Sequence, residues 1–175
     1  MKGVSIGMSQ RKHLPSAHVP HHKNTAGHET EVMPVPDVVK ICMSQNIGAP
    51  CQPLVAKGDY VKVGQRIGDV DAFVSAPIFS SVSGTVVDIE QSRGSMGGFE
   101  TLVVIETDKK QEVSEEVKVP TVETFEDFIK AARDSGVVGL GGASFPTHVK
   151  LNPKNRDECE YLVVNAAECE PFITT

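Results

Sequence analysis

Between Val35 and about Thr107 the chain is a succession of short β-branched runs cut by glycine and proline: Val38 to Met43, Leu54-Val55, Tyr60 to Val63, Ile67 to Val70, Thr85 to Ile89 and Leu102 to Ile105. Strand-length runs at that spacing predict a small all-β unit. What precedes and follows is patterned differently. The first 33 residues are polar and hold His13, His18, His21, His22 and His28. No helical pattern sets His18 and His22 on one face and no cysteine lies nearby to organise these histidines into a metal site, so the segment reads as an extended arm. Asp108 to Pro120 is charged and strand-poor, with Lys109-Lys110 and Glu115-Glu116 close together, and reads as a linker.

After the linker, Phe125, Phe128, Ile129 and Ala132 recur at helical spacing. Thr121 or Thr124 can cap the start of this helix, and Gly136 can stop it. Then comes Gly139-Leu140-Gly141-Gly142-Ala143-Ser144-Phe145-Pro146-Thr147. Clustered glycines let a backbone approach a phosphorylated ligand that side chains would hold away. A helix over about Phe145 to Leu151 would follow, with Pro146 suited to its first turn. Further on, the apolar run Tyr161-Leu162-Val163-Val164-Asn165 reads as a buried strand, and Ala166-Ala167-Glu168-Cys169-Glu170-Pro171 as an acidic loop at its carboxyl end. Ligands of open α/β sheets gather at that end. The G-x-G-x-x-G pattern fails at Ser144 and the loop follows a helix, so the ordinary dinucleotide fingerprint is not met. No Gly-Lys-Ser or Gly-Lys-Thr is present, which excludes a P-loop.

Bulk properties remove other classes. A net charge of −6 and no basic, aromatic-rich stretch argue against nucleic acid. No apolar run approaches the roughly 18 residues that span a bilayer, and Met1 to Ser5 is not followed by a secretory apolar core. The chain therefore reads as soluble and cytoplasmic, reaching a membrane only through partners. Cys42, Cys51, Cys159 and Cys169 form no C-x-x-C pair and no cluster-binding spacing, so free thiols are expected. Cys169 lies between carboxylates, which raise a thiol pKa and make it a poorer nucleophile.

The glycine loop and the acidic loop together resemble the flavin and nicotinamide site of the complex I flavoprotein, and more closely that of the RnfC family. In that family a GxGGAGFPTxxK segment wraps FMN and an Asn-x-x-Glu-x-Glu-Pro loop completes the pocket. The resemblance implies that Gly139, Gly141, Gly142, Ala143 and Lys150 contact FMN, with Phe145 packed beneath the loop. Asn165 would meet a flavin edge, and Glu168 and Glu170 would set the field around the ring or an incoming nicotinamide. Ser144 is a departure, since it stands where the family usually has glycine. Upstream, Ser44-Gln45-Asn46-Ile47-Gly48-Ala49-Pro50 looks like the S-Q-x-I-G-A-P segment of the family's amino-terminal domain.

Gly58 to Gly68 and Ser75 to Val86 resemble the two halves of a barrel-sandwich hybrid, the fold of lipoyl and biotinyl carriers. A carrier's modifiable lysine would have to lie between Gly68 and Ser75, where this chain has Asp69-Val70-Asp71-Ala72-Phe73-Val74. A structural or docking module is the expectation. The whole is then α+β: an arm over 1–34, an all-β barrel-sandwich hybrid over 35–108, a linker over 109–120, and over 121–175 the start of an α/β FMN/NADH-binding domain.

Family members continue for a few hundred residues and carry two 4Fe-4S clusters on cysteine runs, none of which this chain contains. The expectation is an amino-terminal piece of an electron-transfer protein, inactive alone, with no catalytic side chain of its own and any 4Fe-4S cluster beyond residue 175. In the Rnf complex it would pass electrons between NADH and ferredoxin-like iron–sulfur proteins, at the cytoplasmic face beside other Rnf subunits. The RnfC-like protein that feeds proline reductase shares the same motifs, and a scaffold that has lost its flavin is a third alternative. The missing lysine has a direct consequence: intact-mass measurement should return the unmodified chain. A lipoyl or biotinyl increment would contradict the non-carrier assignment.

Overall fold

The computed structural model describes residues 20–94, 97–139, 143–164 and 171–172. The chain separates into two compact units, Met33–Tyr161 and a smaller one made of Met1–Val32 with Leu162–Thr175.

The larger unit begins with strands β1 (Val38–Cys42), β2 (Gln52–Pro53), β3 (Tyr60–Val61), β4 (Arg66–Asp69), β5 (Ile78–Phe79), β6 (Gly84–Arg93) and β7 (Phe99–Thr107). They form two antiparallel sheets, ordered β1-β7-β6-β3 and β2-β4-β5. One core joins the sheets: Ile41, Val61, Val86, Val103 and Ile105 from the first meet Ile67 and Ile78 from the second, with Met43, Cys51 and Val82 between them. This is the expected barrel-sandwich hybrid. Its register depends on one irregularity. The β6–β7 pairing steps from Val86 opposite Ile105 to Asp88 opposite Val104, leaving Val87 as an extra residue. The bulge lets Val86 and Ile89 both face the core while Asp88 stays exposed, which strict alternation would forbid.

The expected strands recur with shifted ends. Leu54-Val55 gives way to Gln52–Pro53 at a sheet edge, the position where proline's missing donor is tolerated. The strand at Ile78–Phe79 has only two residues between Pro77 and Ser80, too few to show alternation. Residues 109–120 run along the β unit: the Val63 amide donates to the Glu112 carbonyl (2.8 Å), the Ser114 amide to the Val63 carbonyl (2.8 Å), and Lys62 pairs with Glu112 (2.6 Å).

Helix α1 (Phe125–Asp134) opens with a reciprocal cap: Thr124 accepts from the Asp127 amide and the Asp127 carboxylate accepts from the Thr124 amide. Gly136 closes it at φ +65°, and a β-carbon there would lie 2.8 Å from the Pro77 carbonyl oxygen. The expected apolar face is only partly covered. Phe125, Ile129 and Ala132 are half-buried, Phe128 is exposed, and no residue of the helix is fully buried. Ion pairs secure it instead. Both terminal nitrogens of Arg133 reach Asp69 (3.2 and 2.8 Å), and Arg66 bridges Asp69 (3.1 Å) and Asp134 (3.4 Å).

Helix α2 (Thr147–Lys150) and a 3-10 turn at Arg156–Glu158 complete this unit. The run Tyr161 to Val164, expected as a buried strand, is neither paired nor covered; Val163 is 87% exposed. A strand exists through neighbours that take its amides and carbonyls, and none does so among the described residues. In the smaller unit, Asn24 to Gly27 form turns, the His22 amide donates to the Pro171 carbonyl (2.8 Å), and the His22 ring stacks on Phe172. No helix among the described residues is long and apolar enough to cross a membrane.

The Asp69 pair generates a pH dependence. Burial pushes the Asp69 carboxyl up, but hydrogen bonds from Arg133 and the Val70 amide, with the charges of Arg133 and Arg66, outweigh it and hold the group below its ordinary 3.8. A depressed carboxylate contributes stability above the unfolded value and loses it as the pH falls through the folded one. Asp69→Asn should therefore cost about 1–3 kcal/mol at neutral pH, as expected for a charge-assisted hydrogen bond, with a smaller difference near pH 2. Denaturant melts at both pH values check this, and equal neutral-pH stabilities would contradict it.

Candidate functional site

The glycine loop hangs from a narrow neck. Val138 and Pro146 form an antiparallel bridge, the Thr147 amide donates to the Val137 carbonyl (3.0 Å), and the Gly139 amide donates to the Phe145 carbonyl (3.0 Å). Inside the neck the Ser144 amide donates to the Gly139 carbonyl (3.0 Å). Two of the loop's donors, those of Gly139 and Ser144, are thus engaged in closing it. Ala143 and Ser144 lie at φ +56° and +52°, left-handed conformations that cost a residue with a β-carbon roughly 1–2 kcal/mol. Such strain persists only where the surroundings enforce it.

Pro146 is buried and sits at the N-cap of α2, one residue ahead of the first turn that its ring would suit. Phe145 is half-buried. Lys150 closes α2 and is exposed, with its amide directed at the Pro146 carbonyl (3.4 Å). The fold therefore brings Gly139, Ala143 and Lys150 into one loop-and-helix element. Gly141, Gly142, Asn165, Glu168 and Glu170, with Cys169, lie outside the described residues.

Two features beside the loop escape sequence reasoning. A cavity of about 350 Å³ separates Ser144, Val138 and Gly136 from Gln45 and Asn46 of the S-Q-N-I-G-A-P segment and from Pro77 to Phe79. The hybrid domain thus faces the loop directly. The second is His148 of α2, which is buried with its Nδ1 unpartnered. Burial pushes its pKa below the ordinary histidine value; the Phe73 backbone opposes this and the Arg133 charge adds to it. A neutral imidazole results at pH 7. The available signal is its position, since His148 is the sole histidine outside the arm and lies between Thr147 and Lys150.

Apart from Leu140, the residues from Gly139 to Ser144 carry little side-chain bulk, the ends of the loop are pinned, and a lysine follows within one helical turn, features that suit a phosphate ligand. Comparison with known proteins agrees. Residues 132–175 match the Nuo51 FMN-binding domain, and residues 15–110 match the RnfC barrel sandwich hybrid domain. The C subunit of the proton-translocating ferredoxin:NAD(+) oxidoreductase complex of Clostridium ljungdahlii is 44% identical over 157 residues, covering 87% of this chain and 34% of that protein. Its counterpart in the Na(+)-translocating complex of Acetobacterium woodii is 45% identical over 142 residues, covering 79% and 32%. The C subunit of the ion-translocating oxidoreductase complex of Rhodobacter capsulatus is 32% identical over 162 residues, covering 90% and 31%. The chain spans about a third of the length of these curated relatives. With more than half of its residues inside the hybrid-domain match, the chain belongs to the RnfC family.

Proposed function

We propose that this chain is the amino-terminal part of an FMN-dependent electron-transfer protein that passes electrons between NADH and ferredoxin-type iron–sulfur carriers in an ion-translocating complex. The observation that carries the reading is the glycine loop, with its closed neck and left-handed Ala143-Ser144 pair, lying inside a segment that matches an FMN-binding domain. The names of the matched relatives, components of ferredoxin:NAD(+) oxidoreductase complexes, supply the redox partners. Other subunits of the complex and 4Fe-4S clusters outside these 175 residues complete the path, and the protein lies at the cytoplasmic face of the membrane.

In this reading the chain's own residues bind and orient. The amides of Gly141, Gly142 and Ala143 take the phosphate oxygens, and Lys150 neutralises their charge. Gly139 contributes backbone at the rim, where a side chain would intrude. Asn165 hydrogen-bonds the edge of the ring, while Glu168 and Glu170 hold negative charge beside it and so favour the less reduced state. FMN, when bound, accepts a pair of electrons from NADH and releases them singly.

Titrating FMN into the full-length protein and following flavin fluorescence tests the reading. Saturable quenching at low micromolar protein is expected; free-flavin fluorescence persisting at tens of micromolar would favour a scaffold without cofactor. A substitution in the loop adds a second check. Ser144→Gly removes the β-carbon from a left-handed position, so it should raise stability by up to about 1 kcal/mol and leave FMN binding equal or tighter. Lower thermal stability together with weaker binding would contradict the loop geometry.

A further inference from the structure

We propose that the turn from Asp69 to Ser75 of the hybrid domain is a positioning element for the glycine loop, acting through Arg133 and His148. The inference rests on the assignment of that loop as the FMN cradle and gives the lysine-free hybrid domain a task within it.

The turn is internally braced. Ser75 is fully buried, and its hydroxyl donates to the Val70 (3.2 Å) and Ala72 (2.7 Å) carbonyls. Into it reaches Arg133, which grips both oxygens of Asp69 and also donates to the Val70 carbonyl (3.1 Å) and the Ser75 hydroxyl (3.3 Å). His148 of α2 is also buried, with its Nδ1 unpartnered, and the Phe73 backbone of the turn favours its charged form against burial. A swinging carrier arm needs this turn exposed and free; here it is the socket for two side chains.

The placement of those side chains gives the inference its content. Arg133 lies at the end of α1, the helix that leads into the loop, and His148 lies in α2, the helix that leads out of it. One turn therefore holds both flanks of the segment 139–146. Gly136, between α1 and the loop, packs against Pro77 so closely that no side chain fits, which adds a third point of attachment to the same β unit. A glycine-rich loop loses much backbone freedom when it closes on a ligand. Fixing both flanks on a rigid sandwich removes part of that loss before binding, so affinity rises without any new contact to the ligand.

The test uses the full-length protein with FMN as probe, comparing His148→Leu, His148→Gln and Arg133→Leu by fluorescence titration and by amide hydrogen exchange without ligand. His148→Leu and Arg133→Leu should each weaken FMN by about tenfold, within the range of long-range couplings. In both, exchange should accelerate at residues 137–147 while β6 and β7 keep their protection. His148→Gln, which keeps a polar side chain at this position, should recover most of the affinity. Should Arg133→Leu fail to fold, the two His148 variants decide alone. Affinity within about twofold of the parent, with unchanged exchange at residues 137–147, would overturn the proposal. If the parent protein binds no FMN, the cradle assignment falls, and exchange at residues 137–147 alone upholds or overturns the positioning role.

Discussion

The grip of Arg133 on Asp69 ties the second half of the larger unit to the first. Helix α1 buries no side chain completely, so apolar area alone does not set its position. A guanidinium meeting both carboxylate oxygens does, because the two parallel bonds fix angle as well as distance. The pair is shielded enough to be strong and wet enough to avoid the full desolvation cost: 25% of the Arg133 side chain and 19% of that of Asp69 remain exposed. Arg66 sits between Asp69 and Asp134 and over the Phe79 ring, joining the pair to a second one and to strand β5. Direction, more than area, links the sandwich to the helix and so to the loop.

Different parts of this architecture were legible to different degrees. The β-branched runs announced the sandwich because burial of one face imposes a pattern that survives in a single sequence, and the ends of α1 were legible because caps are local chemistry: Gly136 marked the stop, and of the two candidate caps, Thr121 and Thr124, the structure uses Thr124. The bulge at Val87 was not legible, since it is a property of two strands in register. Phe128 had the right spacing for a packed face and is exposed all the same, because spacing gives a direction without saying what lies there. The run from Tyr161 to Val164 has the composition of a buried strand, and composition supplies no partner. In the sequence Asp69 stands out only as a residue occupying a carrier's lysine turn, and Arg133 only as the polar side of a helix. Their meeting across more than sixty positions is tertiary information.

For the site, the glycine motif was informative because a backbone that must curl tightly leaves its mark in residue type. The structure adds which amides the loop uses on itself, those of Gly139 and Ser144, and that Ala143 and Ser144 adopt left-handed conformations without being glycine. It also puts His148 between the loop's exit helix and the hybrid domain, a position that no single-sequence signal for catalysis or metal binding would single out. A sandwich of the carrier type without its lysine is joined to the flanks of the glycine loop through Arg133 and Gly136.

The central claim is that the backbone between Gly139 and Phe145 holds the phosphate of FMN. An experimental structure of the full-length protein with FMN bound tests this most directly. The account expects the phosphate within hydrogen-bonding distance of the amides of Gly141 to Ala143, with the ring extending toward Glu168 and Glu170. A flavin bound elsewhere, with this loop facing solvent and touching no part of it, would contradict the account.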